Sequence, residues 1–501
     1  MEPCSNIVPQ PRYRFISLFS SKMRNLLAPS CGILFSSVLI VTGLFFLFIF
    51  PSVLEYFANK EFLLSPNSQS FKHWKKTPLP ISLDFYLFNW TNPHLIDKEK
   101  PKFTELGPYR FYETREKSNI SWNKNGTVSY RQRRTWFFDE SSSNGTQDDV
   151  ISTINGVTLT AAYMVRHSGY LPQQSLNMAF TFTKQKISVS HTVRELLFDG
   201  YENNLMSLAN KLSPSLTPMS SPFDKFAWFY QRNDSYAYDG WFNLDTGEKD
   251  ISQLGVIKSW NGKINSGFYS GKCGEIKGFT GDLFPPGYVG RDTRLNLFSQ
   301  DLCRTLPFDY TGNAEVEGIQ GLRYTAGLHL IDNGSLDPDN SCYCNGECVP
   351  PGFLNLTSCR FGAPVFVSYP HFHQAHPVFL KRVEGLEPDP ERHEFYFSIE
   401  PTYGVPIDIG ARVQLNMLMQ PIPHISMYKN VPRVMFPVLW VDQRVTISEA
   451  LAWELRLVLL LPTLATIAGV FALSSGTILF VILLALRSRR KNAEKEGNKP
   501  C

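Results

Sequence analysis

The sequence predicts a membrane protein in which two transmembrane helices flank one large, mainly β head. Three observations predict it. Cys31–Leu54 and Leu457–Leu486 are long and uncharged. Cations gather in the tails outside them. Every glycosylation sequon, and six of the nine cysteines, fall between them.

The N-terminal tail, residues 1–30, carries Arg12, Arg14, Lys22 and Arg24 against Glu2 alone. The first span, 31–54, reads "CGILFSSVLIVTGLFFLFIFPSVL". It exceeds the roughly 20 apolar residues that cross a bilayer core. A buried core helix seldom runs so far without a polar face. A cleaved signal peptide has a shorter apolar run and a small-residue cleavage site, which is missing here.

The head, 55–456, holds seven N-x-Ser/Thr acceptors, at Asn89, Asn119, Asn125, Asn144, Asn233, Asn333 and Asn355. Each sequon alone is weak, but their confinement to one segment predicts glycosylation on the secretory side. That location decides how "CYCNGEC" at 342–348 is read. Cys273, Cys303, Cys342, Cys344, Cys348 and Cys359 make an even set in an oxidising compartment, which predicts three disulfides. Fifteen pairings are open to six cysteines. Cys344 and Cys348 can close a small turn through Asn345 and Gly346, because glycine allows tight backbone. A zinc knuckle is the competing reading, and it needs thiols kept reduced.

Period-two alternation marks the head as β. In "ISLDFYLFNW" (81–90), Ile81, Leu83, Phe85 and Leu87 alternate with Ser82, Asp84, Tyr86 and Phe88. "RVQLNMLM" (412–419) alternates likewise, and "VSYRQRRTWFF", "APVFVSYP" and "EFYFSIEP" are similar. One region has helical spacing: Val193, Leu196, Leu197, Leu205, Leu208 and Leu212 predict a helical insert within 147–212.

The second span, 457–486, leads into the tail 487–501, with six cations against Glu494 and Glu496. The tails together carry +7, and the rest of the chain −3. Positive flanks stay cytoplasmic, so both termini are expected inside and the head outside. Cys4, Cys31 and Cys501 lie in the tails or at the membrane edge, where S-palmitoylation is an expectation. The C-terminal tail lacks the leucine of a di-leucine signal, which favours the plasma membrane. "YRFI" at 13–16 has the form of a tyrosine-based endocytic signal, consistent with passage through endosomes.

"FYLFNWTNP", "ELGPYRFYE", "RRTWFFD", "RELLFDGY", "WNGK", "FPP", "DLCR", "PHF" and "EPTYGVP" follow one another in this order. The series resembles the class B scavenger receptors over nearly the whole chain, including both spans and the six head cysteines. "RRTWFFDESSSNGTQDD" is most similar to an insect phagocyte branch of that family. The resemblance implies a distorted antiparallel β-barrel with an apical helical bundle and a lipid-carrying tunnel. It implies the pairs Cys273–Cys342, Cys303–Cys359 and Cys344–Cys348. It also implies a ligand-binding Lys-x-Lys pair ahead of "RELL". Lys184 and Lys186 match that pair, two residues closer to Arg194 than in a mammalian member.

Clustered exposed cations attract anionic ligands, whereas most such pairs are ordinary solvated charges. "PHFHQAHP" places His371, His373 and His376 together. His371 and His373 at i, i+2 on a strand would share a face, as a metal pair does. Neither a catalytic motif nor a nucleotide loop occurs, and no cofactor is expected. Three readings follow: a scavenger receptor for lipid and polyanionic ligands, a transporter of sterols, carotenoids or fatty acids, and a metal-dependent ectoenzyme on the histidines. Expected partners are lipids, lipoproteins, apoptotic cells and microbial surfaces, with no nucleic acid; self-association is left open.

Overall fold

The computed structural model describes residues 29–79, 81–211 and 223–497, and the chain divides into two compact units, 1–60 with 453–501, and 61–452. In the first unit one helix runs Pro29–Leu44, passes through a π turn at Phe45–Ile49, and continues Phe50–Phe62. The other is Glu449–Gly497. Both are long and apolar enough to cross a membrane, over Cys31–Phe62 and Glu449–Ala493. They outrun the uncharged segments because helical hydrogen bonding propagates through good helix formers such as Glu55, Lys60 and Glu454.

The two helices pack antiparallel through glycines. A Cβ on Gly43 would lie 2.6 Å from the Leu473 amide nitrogen and 2.9 Å from the Gly469 carbonyl. Gly476 faces Leu39 and Ile40, and Gly32 faces Leu483. Lipid supplies no hydrophobic drive between helices, so such close backbone approach is what holds a pair.

The second unit is built on an antiparallel sheet of thirteen strands. They are β1 (Ile81–Trp90), β2 (Phe103–Asn123), β3 (Thr127–Phe138), β6 (Trp241–Asp245), β7 (Ile257–Trp260), β8 (Leu295–Ser299), β9 (Arg304–Val316), β10 (Ile319–Thr325), β11 (Leu354–Asn355), β12 (Val365–Ser368), β13 (Tyr396–Glu400), β14 (Val405–Met419) and β15 (Val434–Thr446). A separate ribbon pairs β4 (Val150–Ile154) with β5 (Ser188–Thr192). The main order is β7-β6-β3-β2-β1-β15-β14-β13-β10-β9-β8, with β12 beside β14 and β11 beside β12.

The edges of that order meet. Ile257 of β7 donates to the Gly278 carbonyl at 2.8 Å, and Phe279 donates to Asn296 of β8 at 2.9 Å. The 278–279 segment thus bridges β7 to β8 and closes the sheet into a barrel, which removes its exposed edges. Only glycine serves at 278: φ is +81°, and a Cβ would collide with the Asn296 carbonyl.

Leu83, Phe85 and Leu87 are buried in the core. Asp84 departs from the expected alternation: it is also buried, and its carboxylate takes Arg110 Nε and Nη2, each at 2.6 Å. Inside β2 and β3 the pattern is polar. Glu113, Arg115 and Lys117 lie opposite Trp136, Arg134 and Gln132. Arg134 and Arg232 share Asp239 and Asp301. Burial opposes the charge on Asp301, but Arg232, Arg134 and Arg360 outweigh it and hold the carboxyl below its usual range. Lys117 Nζ sits 3.1 Å from Asp282, and burial pushes its pKa down.

The helical reading of 193–212 needs correction. Glu195–Asp199 is a single π turn, and Asn204–Lys211 is a separate helix. Gly200 at φ +75° ends the first, and Tyr201 then pairs with Phe226 as a bridge. Leu212 lies outside the described residues. The larger helices of the insert, Gly156–Met164 and Tyr170–Phe182, fall between β4 and β5.

Candidate functional site

Helix Tyr170–Phe182 is buried on one side and exposed on the other. Gln173, Leu176 and Phe180 face inward. Gln173 Nε2 donates to the carbonyls of Val165, Arg166 and Ser168, and its Oε1 accepts from His424. Leu171, Met178 and Phe182 are 75%, 63% and 81% exposed. Their spacing of seven and four places them on one stripe.

The helix ends at Thr183 in a Schellman motif: Lys184 donates to Thr181 at 3.2 Å, and Gln185 to Phe180 at 2.9 Å. The left-handed position of that motif usually holds glycine. Here it holds Lys184, at φ +54°. Lys184 and Lys186 are exposed, and among the described residues neither joins an ion pair. The turn between them is held from beneath. Asn155 Nδ2 donates to the Lys186 carbonyl at 3.0 Å, while Asn155 and Asn203 both donate to Gln185 Oε1. An apolar stripe thus runs into a braced cationic turn.

A recess of about 180 Å³ is lined by Val349, Val378, Phe379, Leu418, Val434 and Met435, with Arg382 and Arg433 in its wall. Arg433 is paired with Glu347 at 2.7 Å.

The histidines are not a strand pair. β12 stops at Ser368, Pro370 cannot donate to a ladder, and His371 and Phe372 turn at φ +52° and +60°. His371 is buried, His373 half-buried and His376 exposed. No group of three or more His, Cys, Asp or Glu among the described residues is placed to hold a metal ion.

His371 instead joins residues that sequence reasoning passed over. Its Nε2 bonds Glu105, which also receives Arg392 Nη2 at 2.6 Å and Trp440 Nε1 at 2.7 Å. Burial works against the Glu105 charge, but the bonds from His371, Trp440 and Arg392 hold its pKa at about 2. His393 stacks on His371 at 4.7 Å with the rings 3° apart. "ELGPYRFYE" contained Glu105, but nothing near it in sequence announced its partners, which arrive from three other segments.

The six head cysteines are joined as Cys273–Cys342, Cys303–Cys359 and Cys344–Cys348. Of the sequons, Asn119, Asn125, Asn144 and Asn233 are exposed, and Asn89 is half-buried with its Oδ1 on the Ser152 amide. Asn333 and Asn355 stand apart from the other sequons. Both are buried, and their Nδ2 atoms donate to the carbonyls of Val349 and Cys344. A glycan needs the space that those contacts fill. Cys31 is an exposed free thiol, while Cys4 and Cys501 lie outside the described residues.

The profile described as the CD36 family matches residues 34–487. The chain is 38% identical over 440 residues to Protein peste of Drosophila melanogaster, covering 86% of this chain and 78% of that protein. It is 32% identical to Scavenger receptor class B member 1 of Bos taurus, with 92% and 89% covered. It is 30% identical to Lysosome membrane protein 2 of Mus musculus, with 92% and 95% covered.

Proposed function

The chain belongs to the CD36 family, and from that premise we propose that it is a cell-surface scavenger receptor for lipid and polyanionic ligands that promotes their uptake. The observation that carries this reading is the helix stripe of Leu171, Met178 and Phe182 ending in Lys184 and Lys186. Apolar side chains suit acyl chains, and unpaired cations suit phosphate or carboxylate headgroups. A left-handed lysine costs stability at this turn, which supports a role for it in binding. The names of the relatives support the receptor class.

In this reading the two helices span the plasma membrane, both tails are cytoplasmic, and the receptor also reaches endosomes. Apoptotic cells, microbes and modified lipoproteins are the particles it takes up. Lipid passes onward through a tunnel in the barrel; the recess beside Arg382 and Arg433 supports an apolar path. Dedicated transport of sterols, carotenoids or fatty acids is the second reading, favoured by that same recess.

The test replaces Lys184 and Lys186 with Glu and measures binding of anionic lipid particles beside uptake of free neutral lipid. Particle binding falls, surface level holds, and free-lipid uptake changes little. The wild-type binding weakens as salt rises, because the Debye length is about 8 Å at physiological ionic strength and shorter above it. Particle binding that is unchanged in the double variant rejects the cationic turn as the ligand contact.

A further inference from the structure

Gln69–Lys75 is the first helix of the head, and its outer face shows only polar and cationic side chains. We propose that this face is a docking site for a sulfated polysaccharide, held by Lys72, Lys75 and Lys76 with His73 beside them. The proposal rests on the head lying outside the cell, and not on the cationic turn at Lys184 or on the particles bound there.

Residues 71–76 read "FKHWKK", three lysines and a histidine broken by one tryptophan. The fold turns that tryptophan away from them. Trp74 is buried, edge-on to Tyr130 at 4.7 Å, with Lys117 Nζ 5.6 Å from its ring. Both ends of the helix are held. Ser68 caps it by accepting from the Phe71 amide at 3.2 Å, and Thr77 donates to the Arg115 carbonyl at 3.3 Å. The rotation of the helix is therefore fixed. At about 3.6 residues per turn, Lys72 lies on the side opposite Trp74, and Lys75 and Lys76 fall beside it at i+3 and i+4. Lys72, His73, Lys75 and Lys76 are all exposed.

Among the described residues, none of the three lysines joins an ion pair. Two acids lie close. Glu61 Oε2 accepts from the Gln69 amide at 3.1 Å, and Glu116 meets Lys76 through a backbone bridge. The negative end of a helix dipole welcomes a cation, yet three cations on one face repel one another. A polyanion laid across the face relieves that repulsion. Lys72 and Lys76 are about 6 Å apart along the axis, so the partner must carry several charges within that length. A densely sulfated chain does so, and a sparse polycarboxylate does not. A helix lying on a bilayer would instead turn its apolar residues outward. Here Trp74 is buried, and Phe71 is half-buried against Trp74 and Trp122, at 6.1 and 5.5 Å. The outer face is left to charge, which suits a hydrated polyanion.

Heparin is the probe, and the full chain in phosphatidylcholine nanodiscs is the sample. With the counterion-release slope of nucleic-acid polyanions, roughly 0.7–0.9 per cation, three lysines lose about 20- to 40-fold in affinity between about 50 and about 200 mM salt. The wild type shows that loss. Lys72→Gln with Lys75→Gln and Lys76→Gln abolishes it and binds more weakly at low salt. Lys263→Gln with Lys381→Gln and Lys429→Gln removes the same charge from scattered exposed positions and behaves as the wild type does. Bound heparin also shields Lys72, Lys75 and Lys76 of the wild type from amine acylation, read by mass spectrometry, while heparin stripped of its sulfates does not. That footprint needs no variant. Heparin affinity unchanged in the first variant, or lowered equally in the second, overturns the proposal, and so does a missing footprint. Shielding in nanodiscs of phosphatidylserine without heparin, and none from heparin, overturns it as well and makes a bilayer the partner. Failure on any of these counts leaves the reading of Lys184 and Lys186 standing.

Discussion

Lys184 shows how a single residue can be at odds with its own backbone. Its φ of +54° belongs to glycine in a helix-ending motif, and a side chain there costs on the order of 1 kcal/mol. Replacing Lys184 by Gly is therefore expected to raise the melting temperature of the purified protein by about 1 °C while weakening capture of anionic particles. A lower melting temperature would mean that the lysine stabilises the turn by contacts of its own. The residue was singled out through the family resemblance, as one of a Lys-x-Lys pair ahead of "RELL" whose spacing departs from a mammalian member by two residues. Its strain was not legible, because the motif depends on where the helix Tyr170–Phe182 stops, and the helical insert expected within 147–212 carried no such boundary. Glu105 and His393 were illegible for another reason. A buried ionised group looks like any surface charge until its partners are known, and those of Glu105 lie at 371, 392 and 440.

Elements were legible where apolar residues alternate and illegible where the buried face is polar. β1 could be read because Ile81, Leu83, Phe85 and Leu87 alternate, although Asp84 and Phe88 on its other face are buried as well. "YETREKS" within β2 could not, because Glu113, Arg115 and Lys117 point to a polar interior while Tyr112 and Thr114 are exposed. Alternation then no longer says which face is the core. The membrane helices could be read as spans but not as a pair, since glycine contact needs both helices in view. Gly43→Leu is expected to separate them by overpacking, at roughly 1–3 kcal/mol, and to lower both detergent stability and surface level. Val41→Leu, on a side chain 65% exposed, is the control expected to be silent; equal behaviour of the two would reject the packed pair.

The disulfides have a similar ordering. Cys303 and Cys359 are 56 residues apart and Cys344 and Cys348 only 4, so loop entropy assigns about 4 kcal/mol to the first and about 2 kcal/mol to the second. Cys303→Ser is expected to hold the protein in the secretory pathway far more than Cys344→Ser, as read from glycan maturation. The reverse order would show that loop entropy is not what these bridges supply.

At the scale of the whole molecule, the two apolar helices were visible in hydropathy and the β head in its period-two alternation, because membranes act on composition and sheets on periodicity. Closure of the barrel was not. It rests on Gly278 and Phe279 linking the two edge strands, and a two-residue bridge has no periodicity to detect. The receptor reading depends on the molecule acting as one: a span at each end, a head that captures anionic lipid, and internalisation after capture. The most direct measurement expresses the full chain in cells that lack such receptors and follows fluorescent particles of phosphatidylserine and of phosphatidylcholine, with surface signal quenched. The account predicts that internalised phosphatidylserine particles rise severalfold over untransfected cells and phosphatidylcholine particles far less. Uptake at the untransfected level, with the protein plainly at the surface, would contradict it.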